Sequence, residues 1–386
     1  MNLKNLLLAI LLLACLSISA QHSFCTEADS LMVKESFIEA AKLYHLCYEQ
    51  DTMNKKTLIS LANCSMLSGD ITLAKKYYHQ LENDSLFSKD AISKLAGIYE
   101  SQQNLPKAIR YYTILKRLNP ENQVYLRKLG GLYLQGRETK QGRESYIQAL
   151  SLYPRDILTI QGLTELYLEA DELSKADSTI NLSINIDSSN LSLLYLKARI
   201  SYRLRDYKTS SDVLAKLNTL TEINNYYNKL LGYSYLQIDS LDKAIHHLQK
   251  SILGESDPEY VLYYLALAHE RKKEYDKSIW FFEEAAKAGI SPNMSQYHRG
   301  LARIYSTKKT YNLVLEHYEK SLEYFNDPEV YFYMANTAEQ IQKKQNKAIY
   351  YYQQYLKSGH NNAEWQRIAN ERVRLLKEKE FMGRKS

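Results

Sequence analysis

The chain has 386 residues and a formal net charge of +6 at pH 7, a mild positive excess for this length. Such a charge does not indicate nucleic-acid binding, which usually needs a concentrated basic patch. Only 13 glycines and 6 prolines are present, as is typical of a nearly all-helical chain. Tyrosine is abundant, with 34 residues.

The N-terminal 20 residues have the pattern of a secretory signal peptide. Lys4 supplies a positive start, residues 6–13 are apolar, and a Ser-Ile-Ser-Ala sequence ends at Ala20. The apolar stretch is short for a membrane span, and no second long apolar run follows it. We therefore expect an exported bacterial protein, periplasmic or associated with the outer membrane, without a transmembrane segment in the mature chain. The alternative is a lipoprotein anchored at Cys15, because residues 12–15 resemble a lipoprotein cleavage box.

Beyond this segment the sequence repeats with a period of 34 residues. One column of small side chains marks the period and slips by two residues at Val314; its members are Ala40, Ala74, Ala108, Gly142, Ala176, Ser210, Ala244, Ser278, Val314 and Ala348. A fixed period in this range indicates one supersecondary unit that is repeated and stacked.

Two further columns keep the same frame. Twelve residues before the first column lie Ala28, Ala62, Ala96, Gly130, Thr164, Ala198, Gly232, Ala266 and Ala302, and the last repeat places Ala335 thirteen before. Four residues after the first column lie bulky groups, among them Tyr44, Tyr78, Tyr112, Tyr146, Phe282, Tyr318 and Tyr352. Small columns twelve apart predict two antiparallel helices pressed together at their crossing. A larger side chain at the crossing would cost roughly 1–3 kcal/mol.

These columns resemble the consensus of the tetratricopeptide repeat family. The third repeat follows the consensus almost in full, with Leu95, Ala96, Tyr99, Ala108, Tyr112 and Pro120. The fourth repeat also follows it, whereas the sixth departs most, with Lys197 and Ser201 at the leucine and tyrosine positions.

The resemblance implies an all-α fold, an α-solenoid in which about ten helix pairs form a right-handed superhelix with a concave surface. In this family the first helix of each pair mainly lines that surface, which commonly binds peptides or protein segments. We place the repeats within 21–359, at 21–54, 55–88, 89–122, 123–156, 157–190, 191–224, 225–258, 259–294, 295–327 and 328–359. Residues 360–386 follow as a capping helix and tail, with Trp365, Ile368, Val373 and Leu376 facing inward.

Aromatic and cationic residues concentrate on the predicted inner face of repeats six to nine. We call this set the tyrosine–arginine strip; it comprises Tyr195, Arg199, Tyr202, Arg203, Tyr226, Lys229, Tyr233, Tyr260, Tyr263, Arg271, Arg299 and Arg303. Tyrosine and arginine are enriched at binding hot spots, and arginine can grip a carboxylate with two hydrogen bonds. The strip therefore predicts a groove for a protein or peptide segment of acidic character. The alternative is that tyrosine-rich repeats carry such a strip without any ligand.

Three cysteines remain if the signal peptide is removed after Ala20, and an exported protein can oxidise two of them. Cys25 and Cys47 are the favoured pair, because they lie at ends of antiparallel helices that meet. Cys47 with Cys64 is the alternative pair. No metal-binding spacing occurs among these cysteines.

No catalytic constellation is recognisable in the sequence, so we expect a protein that is not an enzyme and has no cofactor. The favoured function is a protein–protein interaction scaffold of the bacterial cell envelope. The alternative is a glycan- or peptidoglycan-associated module that uses the strip for stacking. The alternative is disfavoured because glycan sites usually add tryptophan and carboxylates, and both tryptophans, Trp280 and Trp365, are interpreted as structural or terminal. The sequence leaves the partner and the oligomeric state open.

Overall fold

A computed structural model describes residues 24–184, 186–253, 258–289, 293–342 and 344–383. These residues form helices and turns, and no strand occurs among them. The predicted signal peptide and Cys15 lie outside the described residues. The chain divides into two compact units, with the boundary between Leu193 and Leu194.

The first unit contains five helix pairs. Their helices are α1 (helical over 24–33), α2 (Phe37–Gln50), α3 (Lys55–Leu67), α4 (Ile71–Leu81), α5 (Ser88–Ser101), α6 (Leu105–Leu118), α7 (Gln123–Gln135), α8 (Thr139–Leu152), α9 (Ile157–Glu169) and α10 (Leu173–Ile184).

The second unit contains five more pairs and one final helix. Its helices are α11 (Leu191–Arg203, which begins before the boundary), α12 (Tyr207–Leu220), α13 (Asn225–Gln237), α14 (Leu241–Ile252), α15 (Glu259–Arg271), α16 (Tyr275–Ala288), α17 (Met294–Thr307), α18 (Tyr311–Tyr324), α19 (Pro328–Glu339), α20 (Gln345–Lys357) and α21 (Ala363–Gly383). The predicted all-α solenoid of helix pairs is confirmed.

The two small columns meet where the helices of a pair cross. A Cβ atom added to Gly142 would lie 3.3 Å from the carbonyl oxygen of Gly130, twelve residues earlier. In another pair the hydroxyl of Ser278 donates a 2.8 Å hydrogen bond to the carbonyl of Ala266. Small residues thus let the two backbones approach closely, as the sequence predicts.

A left-handed residue connects the first helix of a pair to the second. Gly69 has a φ of +88°, and residues with φ between 54° and 61° occupy the equivalent turns: Glu35, Gln103, Arg137, Asp171, Arg205, Asp239, Lys273 and Lys309. These positions follow the 34-residue period and include the two-residue slip before Lys309. The second helix then starts two residues later, often after a capping side chain such as Asp70 or Asn104.

Within each unit, every described pair packs against its sequence neighbours. The second helix of one pair contacts the first helix of the next, as α8 contacts α9 and α14 contacts α15. First helices of adjacent pairs also touch, as α7 touches α9 and α13 touches α15. First helices therefore line up along one side of each unit, which is where the strip was predicted.

The last helix, α21, covers the end of the second unit. Its Ala369 and Leu376 are buried against the same core that contains Tyr352 and Tyr355 of α20. The indole of Trp365 stacks on the ring of Phe332, with centroids 4.5 Å apart and planes 9° apart. The predicted capping helix is confirmed, including the inward placement of its apolar side chains.

Candidate binding surface

The residues of the tyrosine–arginine strip all lie in the second unit, on four first helices. They are Tyr195, Arg199, Tyr202 and Arg203 on α11; Tyr226, Lys229 and Tyr233 on α13; Tyr260, Tyr263 and Arg271 on α15; and Arg299 and Arg303 on α17. Tyr226 and Tyr260 are its most exposed tyrosines, at 49% and 45% of their surface. The other tyrosines of the strip are half-buried.

Five tyrosine rings form a continuous series of contacts from α11 to α17, which we call the tyrosine ladder. Its successive centroid distances are 5.7 Å for Tyr202–Tyr233, 4.5 Å for Tyr233–Tyr264, 5.8 Å for Tyr264–Tyr263 and 5.1 Å for Tyr263–Tyr297. Burial raises the pKa of Tyr264 to about 12 and also raises the pKa of Tyr202. These phenols therefore stay protonated at neutral pH and present neutral hydroxyl groups along the first helices.

A second aromatic cluster lies beside the ladder. The ring of Tyr227 contacts Tyr195 at 4.4 Å between centroids and Tyr226 at 5.0 Å. Burial raises the pKa of Tyr227, and the positive charge of nearby Arg199 partly offsets this rise. The exposed ring of Tyr226 therefore contacts Tyr227, which in turn contacts Tyr195.

Three arginines of the strip bond to groups of the chain itself. Nε and Nη2 of Arg303 donate to the carboxylate of Glu270 at 2.5 and 2.7 Å. Arg299 Nη1 donates to Asp327 at 2.5 Å, and Arg271 Nη1 donates to the carbonyl of Leu236 at 2.7 Å. The strip is thus less cationic than its sequence indicates, because Glu270 and Asp327 neutralise two of its guanidinium groups.

Sequence reasoning missed several tyrosines that support the strip, namely Tyr207, Tyr227, Tyr264 and Tyr297. Tyr227 and Tyr264 follow strip members directly in sequence, so the Tyr-Tyr doublets at 226–227 and 263–264 were the available signal. The interpretation of both tryptophans as structural or terminal was wrong for Trp280, which lies on α16 and is 53% exposed. Trp280 lies on a second helix and contacts Phe281, at 4.7 Å between ring centroids.

The structure joins Cys25 and Cys47 by a disulfide, with Cα atoms 5.7 Å apart. Cys64 is a buried free thiol whose Sγ lies 2.9 Å from Sδ of Met32. Burial, with a smaller contribution from Asp29, raises the pKa of the Cys64 thiol to about 11. This thiol is therefore a poor nucleophile at neutral pH.

The first unit has its own groove, of about 340 Å³, on the side of its first helices. Its walls include the apolar side chains of Met32, Ile59 and Met66 and the charged residues Asp90 and Lys94. Asn63 also lines it but accepts a 2.7 Å hydrogen bond from Tyr78. No helix among the described residues combines the length and apolarity needed to cross a membrane.

Comparisons with known proteins concern the fold and the repeat. A tetratricopeptide repeat protein from Parabacteroides merdae is 16% identical over 65% of this chain and 99% of that chain, with a TM-score of 0.46. YrrB, described as a TPR protein with an unusual peptide-binding site, is 16% identical over 49% of this chain and 96% of the YrrB chain, with a TM-score of 0.43. PilW, a type IV pilus biogenesis factor, is 12% identical over 54% of this chain and 96% of the PilW chain, with a TM-score of 0.45. Among curated proteins, none is significantly similar to this chain.

The family model of the tetratricopeptide repeat matches residues 229–295, from within α13 to the start of α17. The same helix pair, with the same small columns and the same left-handed turn, recurs before and after the matched segment. The chain therefore resembles the tetratricopeptide repeat family, whose model matches it over residues 229–295.

Proposed function

We propose that this protein is a protein–protein interaction scaffold of the bacterial cell envelope that binds a partner segment along the first helices of its second unit. The observation that carries the proposal is the tyrosine ladder, a continuous series of ring contacts across four successive first helices. Its rings on α11, α13 and α15 are half-buried, and its last ring, Tyr297 on α17, is fully buried. Tyrosine supplies a large contact area with few rotatable bonds and a polar tip, which suits it to protein interfaces.

The exposed rings of Tyr226 and Tyr260 are the contacts most available to a partner. The ring of Tyr226 contacts the half-buried ring of Tyr227, and the hydroxyl of Tyr260 accepts a 3.0 Å hydrogen bond from Nδ2 of Asn293, so each side chain is held in place before binding. Such preorganisation lowers the entropy cost of association.

The location in the cell envelope rests on the N-terminal sequence. The disulfide between Cys25 and Cys47 is compatible with an oxidising compartment. Mass spectrometry of the protein from its native cells tests this part. An N-terminus at Gln21 supports export by a cleaved signal peptide, whereas a lipid-modified Cys15 supports the lipoprotein alternative. An intact Met1 would contradict both.

The binding surface is tested by cross-linking in the native cell envelope, followed by mass spectrometry. The variant Tyr226→Ala/Tyr260→Ala should yield at least tenfold less cross-linked partner than the natural chain, since two aromatic hot-spot contacts are removed. Tyr350→Ala is the matched control: Tyr350 is 53% exposed and contacts Tyr351 at 5.5 Å, but it lies on the second helix α20.

Equal loss in both variants, or full retention in the double variant, would contradict the proposed surface. Recovery of peptidoglycan fragments without any polypeptide would favour the glycan-binding alternative instead.

A further inference from the structure

A tyrosine on the second helix usually donates its hydroxyl hydrogen to a side chain on the first helix of its own pair. The acceptors stand at two recurring positions, one and four residues after the small column of the first helix. The bonds are Tyr44 to Asp29, Tyr78 to Asn63 at 2.7 Å, Tyr112 to Glu100 at 2.6 Å, and Tyr352 to Asn336 at 2.6 Å and to Glu339 at 2.7 Å. Each of these hydroxyl groups is thereby satisfied inside its own repeat.

Tyr318 of α18 occupies the same column but lacks the acceptor. Arg303 and Ser306 stand at its two acceptor positions. Arginine can only donate hydrogen bonds. The hydroxyl of Ser306 can accept one, but no hydrogen bond joins Tyr318 to Ser306. Tyr318 is 8% exposed and lines a cavity, and no hydrogen bond of its hydroxyl group is recorded among the described residues. A hydroxyl group that borders a cavity and has no acceptor in its own repeat can donate its hydrogen to an acceptor from outside the chain.

Tyr146 also lacks a side-chain acceptor, but its surroundings differ. Its ring packs closely on the backbone of Gly130 and Gly162, where an added Cβ atom would lie 2.7 and 2.5 Å away from the ring. Tyr318 instead lines a cavity of about 370 Å³, within the range of small-ligand sites.

The walls of this cavity are rich in hydrogen-bond donors. They consist of two guanidinium groups and four hydroxyl-bearing residues, namely Arg299, Arg303, Ser306, Thr307, Tyr318 and Tyr333. Of the described residues that line it, none is acidic. The carboxylates of Asp327 and Glu270 bond to Arg299 and Arg303 and so fix the positions of the two guanidinium groups.

We propose that this cavity, between α17, α18 and α19, binds a carboxylate group carried by an aspartate or glutamate side chain of the partner. The carboxylate accepts the hydrogen bond that Tyr318 cannot make within its own repeat and faces the remaining donors of Arg299 and Arg303. The assignment rests on the proposed scaffold function, since it names the partner chemistry that this part of the strip recognises.

The test uses defined small probes, so it does not depend on a known partner. N-acetylglutamic acid α-amide is titrated into the ¹⁵N-arginine-labelled chain, and the Nε–Hε signals of Arg299 and Arg303 are followed by NMR. The uncharged N-acetylglutamine α-amide is the isosteric control, and inorganic phosphate at equal ionic strength separates carboxylate binding from general anion binding.

We expect saturable shifts with the acid probe, and at least tenfold weaker binding of the amide probe. Tyr318→Phe should weaken binding of the acid probe about tenfold, because a hydrogen bond to a charged group is lost. Tyr352→Phe is the matched variant: it removes a hydroxyl that is satisfied by Asn336 and Glu339, and binding should stay within twofold.

Equal affinity for the acid and amide probes, tighter binding of phosphate than of the acid probe, or unchanged binding in Tyr318→Phe would each overturn the assignment. The outcome is separate from that of the cross-linking experiment. A partner captured through Tyr226 and Tyr260 without any acid-probe binding would refute only the carboxylate site, whereas acid-probe binding without a captured partner would refute only the scaffold.

Discussion

Arg303 on α17 and Glu270 on α15 form a two-point ion pair across neighbouring repeats, 33 residues apart in sequence. The arginine side chain is 54% exposed and the glutamate is 18% exposed. The pair holds the guanidinium group in one orientation on the strip and also cancels its charge, so Glu270 controls how strongly this part of the surface attracts an anion.

Replacing Glu270 by Gln should strengthen binding of N-acetylglutamic acid α-amide about fivefold at low salt, since roughly 1 kcal/mol of competing attraction is removed. The gain should shrink as salt is added, because exposed charges are screened. The NMR titration described above measures it. Asp242→Asn is the charge-matched control, because it removes one of the two carboxylate partners of Lys272, outside the cavity lining. Equal tightening in both variants would show that only net charge matters.

Two glycines of the first unit should respond oppositely to alanine. An added Cβ atom has no other atom within 4 Å at either Gly69 or Gly97, so steric contact does not decide the outcome. Gly97→Ala, inside α5, should raise the free energy of unfolding by about 1 kcal/mol because alanine favours helix. Gly69→Ala should lower it by about 1 kcal/mol, because its φ of +88° is strained for alanine. Urea unfolding measures the free energy of unfolding of each variant. Changes of the same sign in the two variants would contradict the prediction.

Removing the disulfide should loosen the first helix pair selectively. The bond closes a loop with a sequence separation of 22 residues, which corresponds to about 3 kcal/mol of chain entropy. In Cys25→Ser/Cys47→Ser, amide hydrogen exchange should accelerate in α1 and α2. Exchange in α7 and α8 should stay unchanged, because repeats contact only their neighbours. Loss of protection throughout the first unit, or no change in α1 and α2, would refute this.

The second unit should lose stability as the pH falls from about 6.5 to about 4. His298 and His317 are buried, and their Nδ1 atoms lie 3.2 Å apart in one hydrogen bond. Burial, and then the neighbouring His298, lowers the pKa of His317 to about 4. The unfolded state therefore binds more protons in this interval, and the loss for this imidazole should be on the order of 2 kcal/mol.

His317→Phe tests this prediction, because phenylalanine can keep the ring contacts with Tyr305 and His298. Unfolding midpoints in urea should depend less on pH in the variant than in the natural chain between pH 5 and 7. An identical pH dependence would show that the pair does not contribute.

The repeat and the crossing of its helices follow from the sequence because they depend on local spacing. Gly130 and Gly142 are twelve residues apart and must meet if the connecting turn has constant length, as it does. Contacts between repeats are different. Helical periodicity can place Arg303 and Glu270 on first helices. It does not predict that they meet, because the contact depends on the offset between neighbouring first helices, which periodicity does not encode.

The predicted strip was incomplete for a related reason. Which rings meet across repeats depends on the same offset, so the contact of Tyr264 with Tyr233 of the preceding repeat was not predicted. From the sequence, Tyr318 was interpreted only as a packing residue. The equivalent tyrosines must be compared in three dimensions to see that their hydroxyl groups have an acceptor where Tyr318 faces Arg303.

The recurring left-handed turn has a consequence for how such a chain can change in length. Because Gln103 and Arg137 have nearly the same backbone conformation and precede equivalent helices, a recombination event between these turns removes or duplicates 34 residues without creating a new connection. The number of repeats can therefore change in whole units while each remaining junction keeps its geometry. Only the ends are exempt, because the disulfide-linked first pair and the covering helix α21 each occur once among the described residues.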